Sequence, residues 1–244
     1  MNQLNVFNQI PRDRLLSTML KVKKIHDLIP PRQGATVLIH IGKTGGTTVT
    51  KGLRFAVRNK RCRIYHLVKP VFRKDLKYII CSRDPIARVV SAFNWRKEII
   101  IEQGLQRRRF QGEVEALKDY ININELAEAL YSQSGEPNEM ALSHFRTIHH
   151  LDNGIAFHLK DFLGVCKKEQ IVDVLMQETL EIDVLRCFGY QINASYNQNT
   201  VKIKSLSKLA MRNLGWRLKD DYACHGVLSG WGYINSKYDQ TPTL

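Results

Sequence analysis

Apolar residues in this chain fall into short runs, broken by glycine, proline and charged clusters. Thr36 to Ile41 is a β-like run that leads into a Gly/Thr loop from Gly42 to Thr47. Val49, Leu53, Ala56 and Val57 then recur at helical spacing, which predicts a helix from Val49 to Asn59. Ile64 to Val68 and Tyr78 to Cys81 read as second and third strands. Asp84-Pro85 has the form of an N-cap followed by proline at the first helical position. The helix it opens runs from Pro85 to about Gln103, with Ile86, Val89, Val90 and Phe93 apolar.

This order predicts an α/β fold: a three-layer, P-loop-like sandwich with a central, mainly parallel sheet flanked by helices. The region from 104 to 163 reads as a mainly helical insertion, punctuated at Gly112, Ser134 to Pro137 and Asp152 to Gly154. Ile171 to Met176 is one more strand, followed by a short helix to Cys187. Tyr190 to Lys204 is rich in Asn and Gln and reads as loop, and a helix from Ser205 to about Tyr222 follows. Residues 1–34 form a leader in which Leu15, Met19, Val22 and Ile25 make an apolar stripe that ends at Pro30 and Pro31. With no clean linker, 35–244 is expected to be one domain.

Composition adds little to the fold but narrows the chemistry. The 244 residues are 43% hydrophobic, ordinary for a chain that buries a full core. No run approaches the length of a membrane span, and the N-terminus lacks the apolar core of a secretory signal. Cys62, Cys81, Cys166, Cys187 and Cys224 form no CxxC pair, so reduced thiols and a cytoplasmic location are expected. Lys plus Arg number 37 against 23 Asp plus Glu, a net charge of +14 that favours an anionic partner. Apart from Arg107, Arg108 and Arg109 the basic residues are dispersed, and no nucleic-acid-binding motif occurs. No H-E-x-x-H or comparable metal pair is present, so no metal is expected.

Two segments have the makings of phosphate sites. In the first, Gly42, Gly45 and Gly46 let the backbone turn tightly and present N–H groups at the start of a helix. Lys43 adds a cation, and Thr44, Thr47 and Thr48 add hydroxyls. It departs from the nucleotide-hydrolase pattern G-x-x-x-x-G-K-[ST], because Val37 stands where the first glycine belongs and the other glycines follow the lysine. In the second, Arg83 sits at the end of a strand, and Ser91 lies just over two helical turns beyond it. Arg83 suits bidentate contact with a phosphate, with Arg88 as a further contributor.

These segments resemble the signatures of the PAPS-dependent sulfotransferases, whose donor is 3′-phosphoadenosine 5′-phosphosulfate (PAPS). IHIGKTGGTTV is similar to the 5′-phosphosulfate loop of the Golgi carbohydrate branch, with Gly42 in place of the usual proline. RDPIARVVSAF resembles that branch's 3′-phosphate motif at Arg83, Asp84, Pro85, Arg88, Ser91 and Phe93. Looser echoes are Glu178, Leu180 and Asp183, then Asn199-Thr200, then Asp220-Asp221-Tyr222. The resemblance spans Thr36 to Phe93 and, more loosely, Ile171 to Tyr222; it does not cover the middle helical region.

The resemblance implies that PAPS is bound by Gly42 to Thr48, Arg83 and Ser91, that Lys43 assists departure of the leaving phosphate, and that the product PAP is released. A strand histidine before the 3′ motif makes His66 the first choice of base, and His144, His149, His150 and His158 are the reserve set. The expected acceptor is a small-molecule natural product or a carbohydrate carrying a hydroxyl or an amine. The rival readings are a P-loop kinase and a basic nucleic-acid-binding module.

Overall fold

The computed structural model describes residues 31–50, 62–66, 68–192 and 206–241. The apolar stripe of the leader, most of the helix expected over 49–59, most of the loop expected over 190–204, and Asn199-Thr200 lie outside these residues.

Four strands form an all-parallel sheet: β1 (Thr36–His40), β2 (Cys62–His66), β3 (Lys77–Ser82) and β4 (Ile171–Met176), in the order β2-β1-β3-β4. The sequence places β2 two residues too late. Its true limits follow β1, because Cys62 pairs with Thr36 and His66 with His40. Hydrophobicity marks its ends poorly, since Arg63, Ile64 and His66 are only half-buried.

Alternate strand residues feed opposite faces of the sheet. Val37, Ile39, Ile41, Tyr78, Ile80 and Val174 pack on one face against helices α6 (Ile155–Leu163) and α9 (Lys219–Gly230). Leu38, Ile79, Cys81 and Leu175 pack on the other against α7 (Leu180–Phe188) and Val49. Val49 belongs to a helix, α1, that begins at 46 and is described to 50. Both faces are covered, as parallel sheets require. The result is the expected three-layer α/β sandwich.

Helix α2 (Pro85–Lys97) starts as predicted: the Asp84 carboxylate accepts the Ala87 N–H at 2.8 Å. A π-helical turn from Glu98 to Glu102 carries it to its expected end. Beyond it, α3 (Glu113–Lys118), α4 (Ile123–Ala129), α5 (Glu139–Thr147) and α8 (Lys208–Arg217) share a second core with α2. A fully buried ion pair pins α2 to α3: Arg96 meets Glu113 through two hydrogen bonds of 2.7 and 2.6 Å. The stretch expected as one helical insertion is therefore divided. Helices α3 to α5 build this second core, and α6 returns to the sheet. The helix expected from Ser205 to Tyr222 is also two helices, α8 and α9, broken at Leu218. No helix among the described residues is long and apolar enough to cross a membrane.

Candidate anion-binding site

Because the strands are parallel, all four deliver their following residues to one edge of the sheet. Sheet order then sets the neighbours. The Gly/Thr loop follows β1, with His66 at the end of β2 on one side and Arg83 after β3 on the other. Gln177 and Glu178, after β4, complete the edge.

The loop is tightly enclosed. Lys43 and Gly45 take left-handed backbone, at φ 70° and 78°. A side-chain carbon on Gly45 would stand 1.9 Å from Gln177 Oε1, and one on Gly46 would stand 2.0 Å from the His40 ring. At Gly42 it would meet His150 Nδ1 at 2.6 Å, so a larger residue there, proline included, collides with that imidazole. The hydroxyls divide by direction. Thr44 is fully buried and donates inward to the Ile41 carbonyl at 2.8 Å, so its proton is committed to holding the turn. Thr48 is buried, and Thr47 is exposed. The Thr48 N–H closes on the Gly45 carbonyl at 2.9 Å. Among the described residues, Gly45, Gly46 and Thr47 then keep the amide positions that a helix start leaves without intrahelical partners.

Two cations meet at this loop. Arg83 Nη1 lies 3.4 Å from the Lys43 carbonyl oxygen, and Arg83 Nε lies 3.7 Å from Glu178 Oε1. Glu178 also accepts the Asp84 N–H at 3.2 Å. Burial and the nearby Arg83 push the Lys43 ammonium down to about 8. It therefore remains mostly charged at neutral pH. Its Nζ lies 4.7 Å from the centre of the half-buried Trp95 ring, a cation–π contact. Ser91 is half-buried on α2, one turn before Trp95.

Arg88 has a different role from the one its position suggests. Its side chain has no exposure, and it donates to the His150 and Leu151 carbonyls at 2.6 and 2.9 Å. The Asp221 carboxylate stands 3.9 Å away. Arg88 is thus a strut between α2, the 150–151 turn and α9. Helix α9 grips the same motif twice more: Tyr222 hydrogen-bonds the Asp84 carboxylate, and His225 Nε2 accepts from Ser82 Oγ at 2.8 Å. The Asp220-Asp221-Tyr222 segment therefore braces the strand end and helix start that present Arg83.

His66 lies beside the loop, stacked on His40 with ring centres 4.0 Å apart. Its Nδ1 is 3.0 Å from the His40 carbonyl oxygen. A carbonyl only accepts, so Nδ1 carries the proton and the neutral ring has its lone pair on Nε2. That is the tautomer a base requires. Of the reserve set, His144 is remote and contacts Tyr120 and Asp119. His149 stacks on Phe110, its ring centre 3.9 Å from that of His150. His158 donates from Nδ1 to the Val68 carbonyl. His150 reaches the loop. Nothing local in the sequence distinguishes it, because a turn held by Arg88 delivers it there.

Three of these imidazoles are held in the neutral form, His158 and His225 buried and His150 half-buried. Burial pushes His158 down to about 4, His150 well below its ordinary value, and His225 down as well. The unfolded chain binds protons at these groups near pH 6.5 while the fold resists them, so stability is full above that pH and falls as pH drops towards 4. His158 alone accounts for about 3 kcal/mol over that window. Urea midpoints measured between pH 7.5 and 4.5 are expected to fall steeply; a flat profile would contradict the neutral assignments.

A separate cleft of about 340 Å³ between α6 and α9 carries charges that neutralise one another, including Lys69–Asp161 at 2.8 Å and Lys160–Asp220 at 3.0 Å. It lacks the excess positive charge of the loop site. Among the described residues no three His, Cys, Asp or Glu side chains are grouped to hold a metal ion. No protein-family model matches the chain, and comparison with curated proteins and with solved structures likewise finds no match.

Proposed function

We propose that the chain is a PAPS-dependent sulfotransferase that moves the sulfuryl group of PAPS to a hydroxyl or amine of a small-molecule or carbohydrate acceptor, releasing PAP. One observation carries this reading: Lys43 and Arg83, from separate motifs, lie side by side at the C-terminal edge of a parallel sheet. Two partly desolvated cations repel each other, and a polyanion between them relieves that repulsion. PAPS supplies the activated sulfuryl group and a second, 3′-phosphate charge. The amides of Gly45, Gly46 and Thr47 and the Lys43 ammonium are suited to the 5′ end, and Arg83 with Ser91 to the 3′-phosphate. Gly42, Thr44 and Thr48 shape the loop. His66 Nε2 receives the acceptor's proton, and Lys43 neutralises charge on the departing phosphate.

A kinase reading finds less support. The acid best placed after β3 for a nucleotide-bound magnesium ion is Asp84, and its carboxylate is occupied by the Ala87 N–H and Tyr222. Titration with PAP, adenosine 5′-phosphate and magnesium-ATP separates the readings. PAP is expected to bind without magnesium, about 100-fold more tightly than adenosine 5′-phosphate, with that advantage lost in Arg83→Ala. Magnesium-dependent ATP binding with PAP no better than adenosine 5′-phosphate would sink the proposal.

A further inference from the structure

His150 is held at the loop under strain. Its φ of 73° is left-handed, costing a non-glycine residue about 1–2 kcal/mol. Arg88 fixes its carbonyl at 2.6 Å, and the Nδ1–Cε1 edge of the ring then lies against Gly42, the residue before Lys43. The Trp95 ring, which carries the Lys43 ammonium at 4.7 Å, is 5.6 Å from the His150 ring. The ring thus occupies the volume a side chain at position 42 would take, and it forms one wall of the loop. Strain retained at such a point suggests a role that outweighs it.

The charges acting on this ring come from several elements. They are Lys43 from the loop, Arg88 from α2, His66 from β2 and the adjacent His149. The nearest carboxylate on α3, Glu113, accepts the His149 N–H and is paired with Arg96. Burial first, and then these neighbours, favour the neutral ring. A bound polyanion offsets the cationic neighbours and shifts the balance towards a proton on the ring, against the burial that opposes it.

We propose that His150 is a binding residue of the loop that takes up a proton when the anion arrives and holds it as an imidazolium. The inference rests on the reading of the loop as a phosphosulfate site. Its consequence is that PAP binding near neutral pH consumes a proton from solution, and that affinity rises as pH falls.

Calorimetric titration with PAP at pH 7, in two buffers of different ionisation enthalpy, reads this uptake directly. His150→Asn is the informative variant, because asparagine tolerates left-handed backbone. Wild type is expected to take up more proton per PAP than His150→Asn does, the ligand's and Lys43's own contributions cancelling in the difference. His66→Asn is expected to retain the uptake. Equal uptake in wild type and His150→Asn, or loss only in His66→Asn, would overturn the inference while leaving the PAPS reading intact. No PAP binding by wild type would overturn both. If His150→Asn fails to fold, the histidine Cε1–H signals of wild type decide. An imidazole other than His66, whose signal His66→Asn identifies, turning cationic on PAP addition supports the proposal, and a change at His66 alone or at no histidine overturns it.

Discussion

An Arg88→Ala chain is expected to lose about 3–5 kcal/mol of folding stability, the cost of breaking a buried ionic network by removing one partner. Arg88 has no exposure, donates to the carbonyls of His150 and Leu151, and faces the Asp221 carboxylate as its counter-charge at 3.9 Å. Alanine leaves those carbonyls without their donor and Asp221 without its counter-charge. A void the size of the side chain adds to the loss. Arg88→Lys is expected to recover only part of it, because one ammonium cannot reproduce a planar fork that reaches two carbonyls while facing a carboxylate. Denaturant unfolding at pH 7.5 measures both. A loss below about 1 kcal/mol in Arg88→Ala, the range of an exposed pair, would contradict the role as a strut.

Arg88 also marks where the sequence stops being readable. Its position one turn before Ser91 is compatible with a phosphate contact, and only the arrival of α9 and the 150–151 turn shows that the side chain is already occupied. The elements that were legible are those written locally. Val37 to Ile39 within β1 and Tyr78 to Cys81 within β3 are continuous apolar runs, as strands covered on both faces are. Asp84-Pro85 announces its helix because capping is a contact over three residues. The glycines of the loop were recognisable, although the side chains that require them were not. His150 and Gln177 approach from distant places in the chain, and His40 from the strand that enters the loop. The break at Leu218 is not written locally either. Residues on both sides of it suit a helix, and separate packing of α8 on the helical core and α9 on the sheet divides them.

Lys43→Ala is the second large effect. Lys43 is the cation of the loop itself, set by left-handed backbone and lying over Trp95. In sulfuryl transfer its charge matters most as the bridging oxygen becomes a leaving phosphate, so its loss falls mainly on the transition state. Removing one preorganised donor of this kind slows turnover by about 10²–10³. PAP affinity is expected to fall less, because Arg83 and the loop amides remain. Since the ammonium is pushed down to about 8, wild-type kcat/KM, which reports the free enzyme, is also expected to decline as pH rises through that value.

The measurement closest to the central claim is a mass balance on PAPS, incubated with the chain and an extract of hydroxylated and amine-bearing small molecules. Wild type is expected to convert PAPS to PAP while one acceptor gains the mass of one sulfuryl group, with Lys43→Ala slower by the factor above. PAPS left intact by wild type, or PAP formed equally fast by wild type and Lys43→Ala, would contradict the account.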